Sequence, residues 1–109
     1  MQDALSALET SYFTLQAQIA ELSAACQTPD QINALMSKYV AIRANYWSCI
    51  NKAFHDDDPS VTSLVAKLNA ANTNLKSAVE QMGDMNKVLD FITQAVTLGT
   101  SLATKVISI

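Results

Sequence analysis

From Pro59 to Ile109 the chain reads PSVTSLVAKLNAANTNLKSAVEQMGDMNKVLDFITQAVTLGTSLATKVISI. In alternating steps of three and four, one apolar seam runs through it: Val61, Leu64, Leu68, Ala71, Leu75, Ala78, Met82, Met85, Leu89, Ile92, Val96, Gly99, Ala103 and Val106. A heptad rhythm of this kind marks a helix that buries one stripe. The phase is kept across Gly83-Asp84, but the chemistry changes there. Gly is the usual left-handed residue just past a helix end, and Asp is a favoured cap for the next helix. Two readings compete. A tight turn at Gly83-Asp84 gives helices over 59–82 and 85–107. One long helix instead carries Gly83 in its interior, at a cost of about 1 kcal/mol relative to Ala. The long helix leaves the seam from Leu89 onward uncovered, so it requires an oligomer.

The upstream residues read as the hairpin that covers this seam. Leu5, Leu8, Tyr12, Leu15, Ile19, Leu22 and Cys26 hold an unbroken stripe over 3–26, with Phe13 widening it. Thr28-Pro29, with Gln31 three residues after Thr28, is a capping-box start for a second helix over 29–54. Its stripe is Ile32, Leu35, Tyr39, Ile42, Tyr46, Cys49 and Ala53, flanked by Met36, Trp47, Ile50 and Phe54. This face is broader than the first, so two neighbours are expected on it. The short link makes the pair antiparallel. Positions summing to about 58 then meet: Tyr12 with Tyr46, Ile19 with Tyr39, Leu22 with Leu35. Leu15, Ile19 and Ile42 are expected in the core. Asp58-Pro59 caps and opens the third helix. Four segments of near-equal length favour an all-α, antiparallel four-helix bundle formed by residues 1–109 as one domain. The alternative is the hairpin plus one long C-terminal helix, as an oligomer.

Composition supports helix throughout. The 109 residues include 16 Ala but only 2 Gly and 2 Pro, and 50% are hydrophobic. Charged residues make up 16%, below the roughly 25% of an ordinary soluble domain. The net charge is −3, and no cluster of Lys or Arg is available to neutralise phosphates. Nucleic acid is therefore not an expected partner. Asp3 stands where a signal peptide would carry a basic region, and no uncharged apolar run reaches the ~18 residues of a spanning helix. A cytoplasmic site is expected, with export by a signal-independent route left open.

Several constellations invite a chemical reading and lose it. Asp56, Asp58, Ser60 and Thr62 resemble the early positions of a calcium loop. Val61 then stands where Gly is needed and Lys67 where a bidentate Glu is needed, so no metal is expected. His55 is the only histidine, and no motif fixes a nucleophile beside it. Cys26 and Cys49 fall roughly 27 Å apart along the hairpin at ~1.5 Å rise per residue, which excludes a disulfide between them. Tyr12, Tyr39, Tyr46 and Trp47 at helical spacing are expected as core rather than a ligand pocket. No catalytic residue and no cofactor is expected, and the chain reads as a non-enzyme.

The C-terminal segment is the least ordinary. No charge occurs from Phe91 to Thr104. Ala95, Gly99 and Ala103 form a small-residue face that permits close helix approach. Thr93, Thr97, Thr100 and Thr104 form an uncharged polar stripe. Such a helix suits the most buried position of a bundle, or an amphipathic helix that inserts in a membrane. The expected function is a helical protein–protein interaction module, of the adaptor, secretion-associated or inhibitor kind, binding a protein partner or another copy through apolar helix faces. The candidate interface residues are Trp47, Phe91, Ala95, Leu98, Gly99, Leu102, Ala103, Val106 and Ile107. The alternative is a membrane-active protein, such as a pore component inserting its C-terminal helix.

Overall fold

The computed structural model describes residues 3–50, 53–54, 58–81 and 83–107. Four helices follow one another: α1 (Asp3–Ala25), α2 (Pro29–Cys49), α3 (Pro59–Gln81) and α4 (Met85–Ala103). The capping chemistry sets three of the four starts. The Thr28 hydroxyl accepts from the Gln31 N–H at 3.1 Å, and the Gln31 side chain reaches back to the Gln27 N–H at 2.6 Å. Asp58 Oδ1 accepts from the Ser60 N–H at 2.8 Å, and Asp84 Oδ1 from the Asn86 N–H at 2.9 Å. Each bond satisfies a donor that the first helical turn leaves orphaned.

Gly83-Asp84 is a turn, which excludes the long helix. A helix over 59–107 would run to roughly 73 Å at ~1.5 Å per residue, whereas the greatest extent of the chain is 42 Å. The backbone at Gly83 is not left-handed, contrary to the expectation for a residue past a helix end, and nothing lies within 4 Å of a Cβ built there. Asp84 supplies cap chemistry at the turn through its bond from the Asn86 N–H.

Helices α2 and α4 end earlier than the apolar pattern predicts, at Cys49 and Ala103 instead of 54 and 107. The reason is tertiary. Ala53–Phe54 (β1) pairs antiparallel with Val106–Ile107 (β2), with Ala53 opposite Ile107 and Phe54 opposite Val106. The two tails leave their helices to share a backbone ladder. Two β-branched residues in β2 suit an extended backbone.

The helices form a square. α1 packs on α2 and α3, α4 packs on α3 and α2, and α1 and α4 meet only marginally across the diagonal. Gln31 Nε2 donates to Asn86 Oδ1 at 3.2 Å, and Asn45 Nδ2 donates to Thr100 Oγ1 at 3.1 Å. Both bonds join residues 55 apart, so α2 and α4 lie side by side pointing the same way. Each is antiparallel to its hairpin mate, so α1 and α3 also run parallel. The molecule is thus two hairpins stacked in the same sense. α3 starts 56 residues after α1, and α4 starts 56 residues after α2.

One core joins all four helices. Leu15, Leu22, Leu35, Leu68, Leu75, Ile92 and Leu102 are fully buried. Leu15 and Ile42 are core as expected, and Ile19 packs partly buried against it. Tyr12 stacks on Tyr46 with ring centroids 5.7 Å apart and on Tyr39 at 5.9 Å. Cys26 and Cys49 are both free thiols, half-buried and buried respectively. Burial pushes the Cys26 thiol above its ordinary range.

A polar pair crosses the core between α1 and α3. Ser11 and Asn72 are both buried. The Ser11 hydroxyl donates to Asn72 Oδ1, and Asn72 Nδ2 donates to the Ala7 carbonyl at 3.0 Å. A satisfied buried polar pair fixes one pairing of two otherwise slippery apolar helices.

Candidate functional site

The helix α2 carries two seams. One is buried: Leu35, Ile42, Tyr46 and Cys49 face the core. The other is not. Ile32, Met36, Val40, Trp47 and Ile50 recur at steps of three and four with Arg43 between them, and all five apolar side chains are exposed. Val40 is 58% and Trp47 55% exposed. At about 100° per residue, Trp47 lies about 200° around the helix from Asn45, which meets α4. The open seam therefore faces away from the second hairpin.

Two features fix the surface. The Arg43 guanidinium lies over the Trp47 ring, 4.7 Å from its centroid. A cation held on an indole face at an exposed site is worth about 0.5–1 kcal/mol. Val40, Arg43, Ala44 and Trp47 line an open groove of about 220 Å³. Among the described residues no carboxylate pairs with Arg43. On the α1 side, Phe13 is 48% exposed and its ring lies 6.0 Å from Tyr46. Beneath it, the Tyr46 hydroxyl donates to Glu9 Oε2 at 3.0 Å. Burial first, and the Glu9 carboxylate second, push the Tyr46 phenol above its ordinary range. Burial and the neighbouring Tyr12 hydroxyl do the same to Tyr39.

The structure distributes the sequence-derived interface candidates unevenly. Trp47 is on the open face. Ala95, Gly99 and Leu102 are buried inside the bundle, while Phe91, Leu98 and Ala103 are half-buried against its core. The small-residue face on α4 does bring helices close. A Cβ at Gly99 would stand 3.3 Å from Asn45 Nδ2 and 3.3 Å from Leu8 Cδ2. Those contacts are within the chain, so that face is spent on folding. Val106 and Ile107 contribute backbone to β2, and their side chains lie outside the described residues. Sequence reasoning placed Ile32 in the buried stripe and did not single out Val40 or Arg43. The available signal was the second three-four seam on α2, taken instead as width for a second neighbour. α2 does have two neighbours, but the extra width lies beyond both.

No group of three His, Cys, Asp or Glu side chains is placed to hold a metal among the described residues. His55, Asp56 and Asp57, the polar cluster of the α2–α3 link, lie outside the described residues; Asp58 is the cap of α3. Among the described residues no helix is long and apolar enough to cross a membrane.

The fold and this surface define the class: an all-α four-helix protein whose exposed large apolar side chains, among the described residues, gather on α2 and the adjoining edge of α1. Comparison with family models, curated proteins and solved structures found no match to the chain.

Proposed function

We propose that this chain is a non-enzymatic helical interaction module that binds a protein partner through the outer face of α2. One observation carries the reading. The large apolar side chains left exposed among the described residues are Phe13, Ile32, Met36, Val40, Trp47 and Ile50, all on α2 or on the α1 edge beside it. Roughly half exposed, six side chains of this size leave on the order of 500 Å² of apolar surface, the range in which the largest patch of a monomer often serves binding. Trp and Arg at its centre are the residue types that dominate binding energy at interfaces. The rival reading, insertion of α4 into a membrane, would have to withdraw Ile92, Ala95 and Leu102 from the core, and no observation favours that cost.

The test is site-specific photocrosslinking in the cells that make the protein. A benzophenone side chain at Val40 is expected to capture a protein adduct, and the same group at Asn74, on exposed α3 surface, is not. Equal adducts from both positions, or none from Val40, would overturn the proposal.

A further inference from the structure

Stacked hairpins bury each layer against the next. In this chain the second hairpin sits on one side of the first. The positions it uses can be located on the first hairpin by stepping back 56 residues, the spacing that separates the starts of both helix pairs. Val88, Ile92, Gly99 and Ala103 step back to Ile32, Met36, Arg43 and Trp47. The first set is buried or half-buried, and Gly99 rests against Leu8 and Asn45 of the first hairpin. The second set is the open seam. Arg43, at the centre of the exposed face of α2, is thus the positional equivalent of Gly99, where the second hairpin closes on the first.

The opposite end of the stack is finished. No large apolar side chain of α3 or α4 is exposed among the described residues. A second copy therefore offers no matching end for head-to-tail stacking. Face to face, antiparallel α2 helices place Met36 against Trp47 of the other copy and Val40 against Arg43. Two like-charged guanidinium groups then share the middle of the contact, which opposes association. The centre of the face instead calls for an opposite charge. Arg43 is its only charged residue, and among the described residues no carboxylate pairs with it.

We infer that the open face of α2 takes a third helical layer from another protein: an amphipathic helix with an apolar seam and a carboxylate set opposite Arg43. This rests on the reading of α2 as the contact face and adds the chemistry of the occupant. Charge opposition at the centre supplies selectivity, and the apolar seam supplies adhesion.

The probes are two synthetic helical peptides of 21 residues, the length of α2. They share one leucine seam and differ in carrying Glu or Lys along its flanks. Trp47 is the only tryptophan, so its emission reports cover directly. The Glu peptide is expected to shift that emission to the blue and to bind about tenfold more tightly than the Lys peptide at physiological salt. The protein's net charge of −3 works against this preference, so the preference, if seen, is local to Arg43. Arg43→Glu is expected to reverse it. Equal affinity for both peptides, or an unchanged order in Arg43→Glu, would overturn the inference. A concentration-dependent dimer abolished by Val40→Glu would also overturn it. So would a blue shift with phosphatidylserine vesicles and with neither peptide. In those two cases α2 remains the contact face. Silence from peptides, vesicles and photocrosslinking together would remove both readings.

Discussion

Substitution of Gly99 measures the close approach on which the stack of hairpins depends. A Cβ at this position meets Asn45 Nδ2 and Leu8 Cδ2, each at 3.3 Å. Neither neighbour is loose. Asn45 is tied to Thr100 by a 3.1 Å hydrogen bond, and Leu8 is 2% exposed. For Gly99→Ala, two effects oppose. Ala gains about 0.8–1 kcal/mol of helix propensity over Gly. Against that, two tight contacts must each relax by a few tenths of an ångström. The net change is expected within about 1 kcal/mol of zero. Gly99→Leu retains most of the propensity gain but drives three more carbons into filled space. Overpacking on that scale costs about 3 kcal/mol, leaving a net loss of about 2 kcal/mol. For a chain of 109 residues that lowers Tm by about 9 °C. Calorimetric or circular-dichroism melting of the three proteins gives the answer. A Gly99→Leu protein as stable as the parent would show that α4 does not approach α2 and α1 this closely, and the stacking geometry would fall with it.

Gly83→Ala is expected to do the opposite. The site is open and its backbone is not left-handed, so Ala is expected to stabilise by about 0.4–1 kcal/mol through the unfolded chain; a clear loss of stability in urea unfolding would contradict this. Asn72→Ala removes the bonds to Ser11 and to the Ala7 carbonyl, at a cost of about 1–3 kcal/mol. In a double-mutant cycle with Ser11→Ala, coupling of about 0.5–1.5 kcal/mol is expected, and strict additivity would deny the pair. The phenols of Tyr39 and Tyr46 are both raised in the fold. Above the ordinary tyrosine range near pH 10 the unfolded chain loses these protons first, so stability present below that pH declines as pH rises. Tyr46→Phe is expected to flatten the alkaline decline of Tm, and an unchanged slope would count against the burial of the Tyr46 phenol beside Glu9.

Local chemistry was legible where the cause is local. Thr28-Pro29 with Gln31, and Asp58 before Pro59, specify helix starts through groups within four residues of one another, and each bond is present. The antiparallel first hairpin, with Tyr12 against Tyr46, follows from a link too short to allow any other course. The heptad seam identified residues that must leave water, and most did. What it could not say is against which neighbour. Ala95, Gly99 and Leu102 looked like a surface for a partner because their apolarity is visible and their cover is not.

The amino-acid sequence by itself determined the helix starts at Pro29 and Pro59 and the antiparallel course of the first hairpin, because capping bonds and a short link act within a few residues. Tertiary structure alone decided the rest. It made Gly83-Asp84 a turn against an unbroken apolar phase, since only a turn returns the last helix to the core. It drew Ala53–Phe54 and Val106–Ile107 out of their helices into a shared ladder. It also chose which of the two apolar seams of α2 is covered. Two seams on one helix are equivalent in composition, and only the positions of α1 and α4 leave Met36, Val40 and Trp47 facing outward.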